Sequence, residues 1–287
     1  MRNLLKRGLH RIVGNTPRPQ LPARAKGTRS AFVIAVAAQK GGVGKTTTSV
    51  NLASALARFH DKKVLLVDLD PQGHVNRALQ AQIHAGGGSL SDVLTAERAD
   101  PEVMDILTTT AVENLDVTPF DRSLASTENL LSTRIGKEFV LRDALAVTRT
   151  WYDVIVIDCP PNLGNLSVNG LVAADAVLIP CDPSPLALSG VHSLVDAIHG
   201  VARLNPDIDL LGVLLTRVDG RNTTLNAAIV HEIQQAYGEA LLPTRIGINN
   251  ALSKAQHEGL DIFQYDKRSR GAENYRALAE HVASVLG

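Results

Sequence analysis

One stretch of the chain, from Gln39 to Thr48, combines glycines, two lysines and three threonines in the order QKGGVGKTTT. Glycines let the backbone curl so that successive N–H groups point inward at a phosphate, and a following helix adds its partial positive charge there. In such a loop the Lys45 ammonium reaches the β- and γ-phosphates, and the Thr46 hydroxyl is a ligand for Mg²⁺. The strict Walker A pattern places glycine six residues before this lysine, where the chain has Gln39 followed by a second lysine. The stretch predicts a nucleotide site formed by Lys40, Gly41, Gly42, Val43, Gly44, Lys45, Thr46 and Thr47.

Acidic residues end two of the apolar runs of the chain. Asp68 and Asp70 follow the run that begins at Val64, and Asp158 follows the run that begins at Val154. The carboxyl ends of parallel strands are where α/β proteins bind their ligands, so these carboxylates are candidates for ligand chemistry. A carboxylate at a strand end is also a common helix N-cap, so each aspartate taken alone admits a purely structural interpretation.

Short apolar runs alternate with longer helical patterns from residue 31 onward. The predicted strands are 32–37, 64–69, 154–157, 176–179 and 210–216, and the predicted helices are 46–59, 137–148, 186–203, 225–237 and 272–286. Most of these strands are apolar on both faces, as in a parallel sheet that helices cover on both sides. The alternation predicts a doubly wound α/β fold, with a mostly parallel sheet and helices on both faces. With the phosphate loop placed between a strand and a helix, the expected fold is P-loop NTPase-like.

Charge is distributed unevenly along a chain whose 29 basic and 29 acidic side chains sum to zero. Residues 1–30 hold eight lysines and arginines and no acidic residue, which predicts a flexible basic N-terminal arm before a single domain at 31–287. Residues 2–13 of the arm have the pattern of a short amphipathic helix, and the arm also fits an organellar transit peptide. The longest apolar run, 31–38, is far shorter than the roughly twenty residues that cross a bilayer. The two cysteines lack the spacing of a zinc site or a disulfide framework.

Four motifs resemble those of one protein family. The run Lys40–Thr47, KGGVGKTT, resembles the deviant Walker A motif of the ParA family, which lies in the ParA/MinD superfamily of P-loop ATPases. The stretch from Asp68, DLDPQG, resembles the switch I element of that family, and VIVIDCPP around Asp158 resembles its Walker B and switch II elements. The run from Tyr265, YDKRSRGAENY, resembles the C-terminal motif of ParA proteins, so that the resemblance covers about residues 31–287.

The resemblance implies an ATPase that forms a sandwich homodimer with ATP and Mg²⁺. Lys40 then contacts the nucleotide of the other subunit and supplies positive charge where charge develops on the γ-phosphate. Lys45 and Asp70 complete the implied catalytic set, and Asp70 with Thr46 and Asp158 forms the implied Mg²⁺ site. No arginine can be nominated from the sequence as a finger in the same chain. Unassisted hydrolysis at such sites is slow, on the order of 10⁻² s⁻¹ or less, so we expect a stimulating partner.

The same resemblance implies binding to DNA without sequence preference, through basic residues on one face of the dimer. The implied DNA-binding residues are Arg221, Lys254, Lys267, Arg268 and Arg270. One family segment departs from its pattern, because Ile248 and Ala251 stand where the family has arginines and Lys254 stands where it has glutamate. Whether the globular domain binds DNA by itself is therefore an open question, and the basic arm is the candidate that compensates.

These implications favour a cytoplasmic, nucleoid-associated bacterial ATPase that partitions or positions a replicon or a protein cargo. A ParB-like partner on the cargo is expected to stimulate its hydrolysis. One alternative is a MinD-like regulator that binds the membrane through residues 1–13. Another alternative is a carrier or scaffold in which the nucleotide only gates a binding surface.

Overall fold

The fold is built around a sheet of eight strands. The computed structural model describes residues 30–84, 87–96, 102–184, 186–219 and 223–287, without the side chains of residues 223–226 and 239. Except for its last residue, the predicted arm, with the helix expected at 2–13, lies outside the described residues, and so does Arg221. The division into an arm and one domain therefore stays a prediction.

The strands run in the order β3-β4-β2-β5-β1-β6-β7-β8 across the sheet. Their bounds are β1 Phe32–Val36, β2 Val64–Asp68, β3 Thr108–Thr109, β4 Leu115–Val117, β5 Val154–Asp158, β6 Ala176–Cys181, β7 Asp209–Val218 and β8 Leu241–Gly247. All neighbours pair in parallel except β3, which is antiparallel to β4. Strands β3, β4 and β8 are not among the strands predicted from the sequence. The first two are very short, and β8 contains Pro243, which a strand at the edge of a sheet tolerates.

Eleven α-helices connect or cover these strands in the described residues. They are α1 Lys45–Phe59, α2 His74–Ala78, α3 Leu90–Thr95, α4 Leu124–Ser132, α5 Val140–Ala144, α6 Asn165–Ala173, α7 Ala187–Val201, α8 Thr223–Tyr237, α9 Asn250–Glu258, α10 Ile262–Asp266 and α11 Arg270–Leu286. Short 3₁₀ helices cover 103–106, 137–139, 148–150 and 238–240. Within the described part of the chain, no helix is long and apolar enough to span a bilayer.

The central strands are buried on both faces and separate two apolar layers. Side chains of β1 alternate between the layers, with Val33 and Ala35 in one and Ile34 and Val36 in the other. Apolar residues of α6 and α7 pack in the first layer, and those of α1 and α11 pack in the second. Because helices cover both faces of a mostly parallel sheet, the predicted P-loop NTPase-like fold is confirmed.

The helix predicted at 137–148 is wrong. The structure has a 3₁₀ turn at 137–139, a five-residue helix α5 and a second 3₁₀ turn at 148–150. The buried amide of Asn169, on α6, accepts the Leu141 N–H at 3.0 Å and donates to the Lys137 carbonyl at 2.8 Å. In a continuous helix those two backbone groups would bond to each other, so the inserted side chain breaks the helix at this point.

The sheet order places the acidic strand ends beside the glycine loop. Strand β5 lies between β1 and β2, and Asp158 is in register with both Val36 and Asp68. The loop after β1 and the carboxylates that end β2 and β5 therefore meet at one edge of the sheet. This edge holds the candidate site.

Candidate functional site

The glycine loop connects the end of β1 to the first turn of α1 and leaves a concave, open surface. Gly42 and Gly44 have φ angles of 75° and 86°, in the left-handed region that favours glycine. A Cβ atom added at Gly41 or Gly42 would meet nothing within 4 Å, so the backbone itself lines open space. Gly44 is the N-cap of α1, and no side chain caps the first N–H groups of this helix. Those free donors and the helix dipole make the loop suited to an anion such as a phosphate.

Lys45 lies in this loop with its side chain almost entirely buried. Its Nζ is 3.4 Å from the carbonyl oxygen of Lys40, so the side chain folds back along the inside of the loop. Burial lowers the pKa of Lys45, while the nearby carboxylates of Asp158 and Asp70 oppose that shift. A cation that is buried without a full partner is well placed to bind the negative charge of a nucleotide.

Asp158, at the end of β5, is fully buried and accepts two hydrogen bonds from α1. The Thr46 hydroxyl donates to Oδ2 at 2.7 Å, and the Ser49 hydroxyl donates to Oδ1 at 2.8 Å. Burial raises the pKa of Asp158 to about 6, although these hydrogen bonds and Lys45 favour its ionised form. The structure thus brings together Thr46 and Asp158, two of the three predicted Mg²⁺ ligands, and the oxygens they present are the type that Mg²⁺ prefers.

The two aspartates after β2 differ in their surroundings. Asp68 is buried and accepts the backbone N–H groups of Asp70 and Val75, so it organises the turn after β2. Burial raises the pKa of Asp68 well above its usual range, and the charge of Asp158 adds to the effect. Asp70 accepts the Gln72 N–H with one carboxylate oxygen, and its other oxygen lies 2.9 Å from the His74 ring. Both oxygens of Asp70 therefore have protein partners here, and its predicted role with water and Mg²⁺ stays a prediction.

Lys40, the second lysine of the loop, has a partly exposed side chain that extends toward the segment after β6. Its Nζ donates to Asp182 Oδ2 at 2.7 Å and to the Ser184 hydroxyl at 3.2 Å. The ammonium thus lies outside the concave loop, whereas that of Lys45 lies inside it. The two lysines are separated by only five positions but face different surroundings.

Sequence reasoning missed several residues that contact the loop or the carboxylates. Ser49 lies three positions after Thr46 on α1, and this helical spacing is a signal that could have revealed it. His74 lies four positions after Asp70, so it too had a local signal. Asp182 and Arg217 offer no such signal, because their contacts depend on how distant segments meet. Arg217 donates to the Gly42 carbonyl at 3.1 Å.

The described residues of the predicted DNA-binding set are all exposed. Lys254 lies on α9, Lys267 and Arg268 lie between α10 and α11, and Arg270 is the first residue of α11. Helix α9 packs against α10, so the four residues belong to neighbouring elements. Their exposure is compatible with contacts to phosphates, and their role stays a prediction.

Comparison with known proteins identifies the family. A family model described as an AAA domain matches residues 31–210. The sporulation initiation inhibitor protein Soj of Bacillus subtilis is 43% identical over 253 residues, which are 88% of this chain and 98% of Soj. The chromosome partitioning protein ParA of Myxococcus xanthus is 38% identical over 251 residues, 87% of each chain.

A solved structure shares the fold and the type of ligand expected here. Cobyrinic acid a,c-diamide synthase of Mycobacterium smegmatis, with an ATP analogue and magnesium bound, is 35% identical with a TM-score of 0.75. The match covers 87% of this chain and 93% of that protein. Together with the glycine loop, its two lysines and the carboxylates at the strand ends, these similarities show that the chain belongs to the ParA/Soj family of P-loop ATPases.

Proposed function

We propose that this chain is a nucleotide-dependent dimeric switch that binds DNA without sequence preference and partitions or positions a replicon or a protein cargo. The observation that carries the proposal is the pair of lysines in one phosphate loop, with Lys45 inside the loop and Lys40 outside it. A single phosphate site needs only the inner lysine. The outer lysine pairs with Asp182 within the single chain, and we assign it to a nucleotide held by a second copy of the chain once the dimer forms.

ATP and Mg²⁺ are the cofactors of this ATPase, and the residues of the site fit them. The open glycine loop and the uncapped first turn of α1 bind phosphate through backbone N–H groups. Thr46 and Asp158 hold the metal, and when bound it neutralises charge on the β- and γ-phosphates. Lys45 keeps its positive charge directed along the inside of the loop, and Asp70 orients the attacking water.

The proposed switch requires ATP-dependent dimerisation that depends on Lys40. Replacing Lys40 with alanine is expected to weaken dimerisation in ATP about 100-fold. The negative charge of the other subunit's nucleotide, buried in the dimer interface, then loses the Lys40 ammonium as its partner. The fold should be unaffected, since the Lys40 side chain is partly exposed. Light scattering coupled to size-exclusion chromatography, with a non-hydrolysable ATP analogue and Mg²⁺, measures the shift in molar mass.

Asp182 provides the matched control for this experiment. Asp182→Asn removes the ion-pair partner of Lys40 within the chain but keeps the lysine itself. The Asp182→Asn protein should still dimerise. If Lys40→Ala also dimerises like the unmodified chain, Lys40 does not act across the interface.

Side-chain contacts link helix α1, which follows the phosphate loop, to the C-terminal segment that carries three of the predicted DNA-binding residues. Helix α1 begins in the loop, and its Thr48 hydroxyl lies 3.2 Å from the Tyr275 hydroxyl of α11. Further along α1, Asn51 accepts the Ile262 N–H at 2.8 Å and Arg58 pairs with Asp261 at 2.8 Å. A change at the loop can therefore reach the segment that carries the predicted DNA-binding residues. These contacts support nucleotide-dependent DNA binding.

The contribution of the basic arm is testable in the same protein. Removing residues 1–30 deletes eight positive charges and is expected to weaken ATP-dependent DNA binding at least tenfold in about 0.1 M salt. The slope of log affinity against log salt should also become smaller by roughly one for each phosphate that the arm neutralises in the full chain. Mobility-shift titrations over a salt series, with full-length and truncated chains, measure both quantities.

The outcome also separates the proposal from its alternatives. Unchanged DNA affinity after truncation would show that the arm does not bind DNA. Binding of the full chain to anionic vesicles, and loss of that binding on truncation, would instead favour a MinD-like regulator that uses residues 1–13 at a membrane. Copurification of iron would favour the carrier.

Hydrolysis by the dimer is expected to be slow until a partner stimulates it, as a positioning switch requires. The proposed partner is a ParB-like protein on the cargo, and the proposed location is the nucleoid in the bacterial cytoplasm. Soj and the partitioning protein ParA are bacterial proteins whose names concern sporulation control and chromosome partitioning. A replicon is therefore the first cargo to test with this chain.

A further inference from the structure

Two consecutive residues at the end of β7 anchor consecutive carbonyl groups of the phosphate loop. The Thr216 hydroxyl donates to the Val43 carbonyl at 2.7 Å, and the Arg217 guanidinium donates to the Gly42 carbonyl at 3.1 Å. Thr216 is buried, whereas Arg217 is exposed. Arg217 lies 175 positions away from Gly42 in the chain, and it contacts the loop at one of its two glycines that face open space.

Neighbouring residues of a regular strand cannot both reach the same loop, because their side chains point to opposite faces of the sheet. The backbone of Arg217 departs from the extended form and has a φ of 52°, in the left-handed region. The pairing of β7 with β8 also shifts between Leu215 and Val218. This irregularity turns the Arg217 side chain toward the loop that Thr216 already contacts, as bulges near functional sites do.

The left-handed conformation is costly for arginine and free of strain for glycine. An exposed side chain contributes little packing to offset that cost. The Arg217 side chain does donate a hydrogen bond to the Gly42 carbonyl, and this contact requires the strained backbone. The strain and the contact therefore point to a role for this arginine at the loop rather than in the fold.

The planar trans peptide determines what anchoring a carbonyl achieves. In each peptide unit the C=O of one residue and the N–H of the next point in opposite directions. A donor that holds the Gly42 carbonyl away from the loop centre directs the Val43 N–H toward it, and the Val43–Thr216 bond does the same for the Gly44 N–H. These N–H groups are donors that a phosphate loop directs at its anion.

We propose that Arg217 is a positioning residue for the nucleotide phosphates, which it serves by fixing the orientation of the Gly42–Val43 peptide. The assignment rests on the proposed ATP site. It does not require Arg217 to touch the nucleotide. It adds an arginine in the same chain to the loop, where the sequence by itself nominated none.

The test compares nucleotide affinity with fold stability in the full chain. Arg217→Gly removes the donor and the strain together, and Arg217→Lys keeps a donor of the same charge. Arg245→Gln, on the adjacent strand β8, removes an equal charge from an exposed residue and is the matched control. A fluorescent ATP analogue with Mg²⁺ reports affinity, and thermal unfolding without nucleotide reports stability.

Arg217→Gly is expected to bind the analogue about tenfold more weakly, with an unfolding midpoint equal to or above that of the unmodified chain. Arg217→Lys should stay within about threefold, and Arg245→Gln within about twofold, of the unmodified affinity. Unchanged affinity in Arg217→Gly, an equal loss in Arg245→Gln or in Arg217→Lys, or a midpoint that falls together with affinity would each overturn the assignment. Failure of the unmodified chain to bind the analogue would contradict the proposed function itself, and with it this assignment.

Discussion

Replacing Lys45 with alanine is expected to lower ATP hydrolysis at least about 100-fold, the scale of removing one preorganised electrostatic interaction with the transition state. The Lys45 ammonium is buried inside the loop, and burial lowers its pKa because the site disfavours a lone positive charge. A bound nucleotide supplies the missing negative charge, so the lysine contributes to binding and to hydrolysis. Phosphate release at saturating ATP and binding of a fluorescent analogue measure the two effects.

Lys62→Ala is the control for this substitution, because Lys62 lies just beyond the far end of α1 and is not part of the loop. Its activity should match that of the unmodified chain. The Lys45→Ala protein should remain folded, since it loses only a buried charge whose desolvation is unfavourable. Activity within a few-fold of the unmodified chain would remove Lys45 from the catalytic set.

Replacing Asp158 with asparagine is expected to lower Mg²⁺-dependent hydrolysis about 100- to 1,000-fold without loss of stability. Asparagine retains one oxygen that can accept a hydrogen bond from Thr46 or Ser49 but lacks the negative charge that attracts the metal. Burial raises the pKa of Asp158, which means that its ionised form is destabilised in the metal-free fold. Neutral asparagine avoids that cost, so the unfolding midpoint in EDTA should equal or exceed that of the unmodified chain.

Loss of hydrolysis without loss of stability is the diagnostic feature of this variant. Asp143→Asn, at an exposed ion pair with Arg142, is the control and should change neither quantity measurably. An Asp158→Asn protein that loses stability along with activity would indicate a structural role for this carboxylate. Full activity at ordinary Mg²⁺ concentrations would show that Asp158 is not a metal ligand.

The amino-acid sequence by itself determined the phosphate loop, the β-strands that flank it and the carboxylates that end them. These features are local, because glycines, lysines and apolar runs act through the backbone of their own segment. The fold class followed for the same reason, since strands apolar on both faces require helices on both sides. The family resemblance rested on the same contiguous motifs.

Only the tertiary structure decided which distant groups complete those local features. Asn169 breaks the helix expected at 137–148, Asp182 pairs with Lys40, and Arg217 reaches Gly42. None of these contacts has a local signal, because each partner lies on a segment that only the order of strands in the sheet brings near. Strands β6 and β7 follow β1 in that order, so the segments after them lie beside the phosphate loop. Hydrogen bonds act over about 3 Å, and proximity in space rather than in sequence decides which ones form.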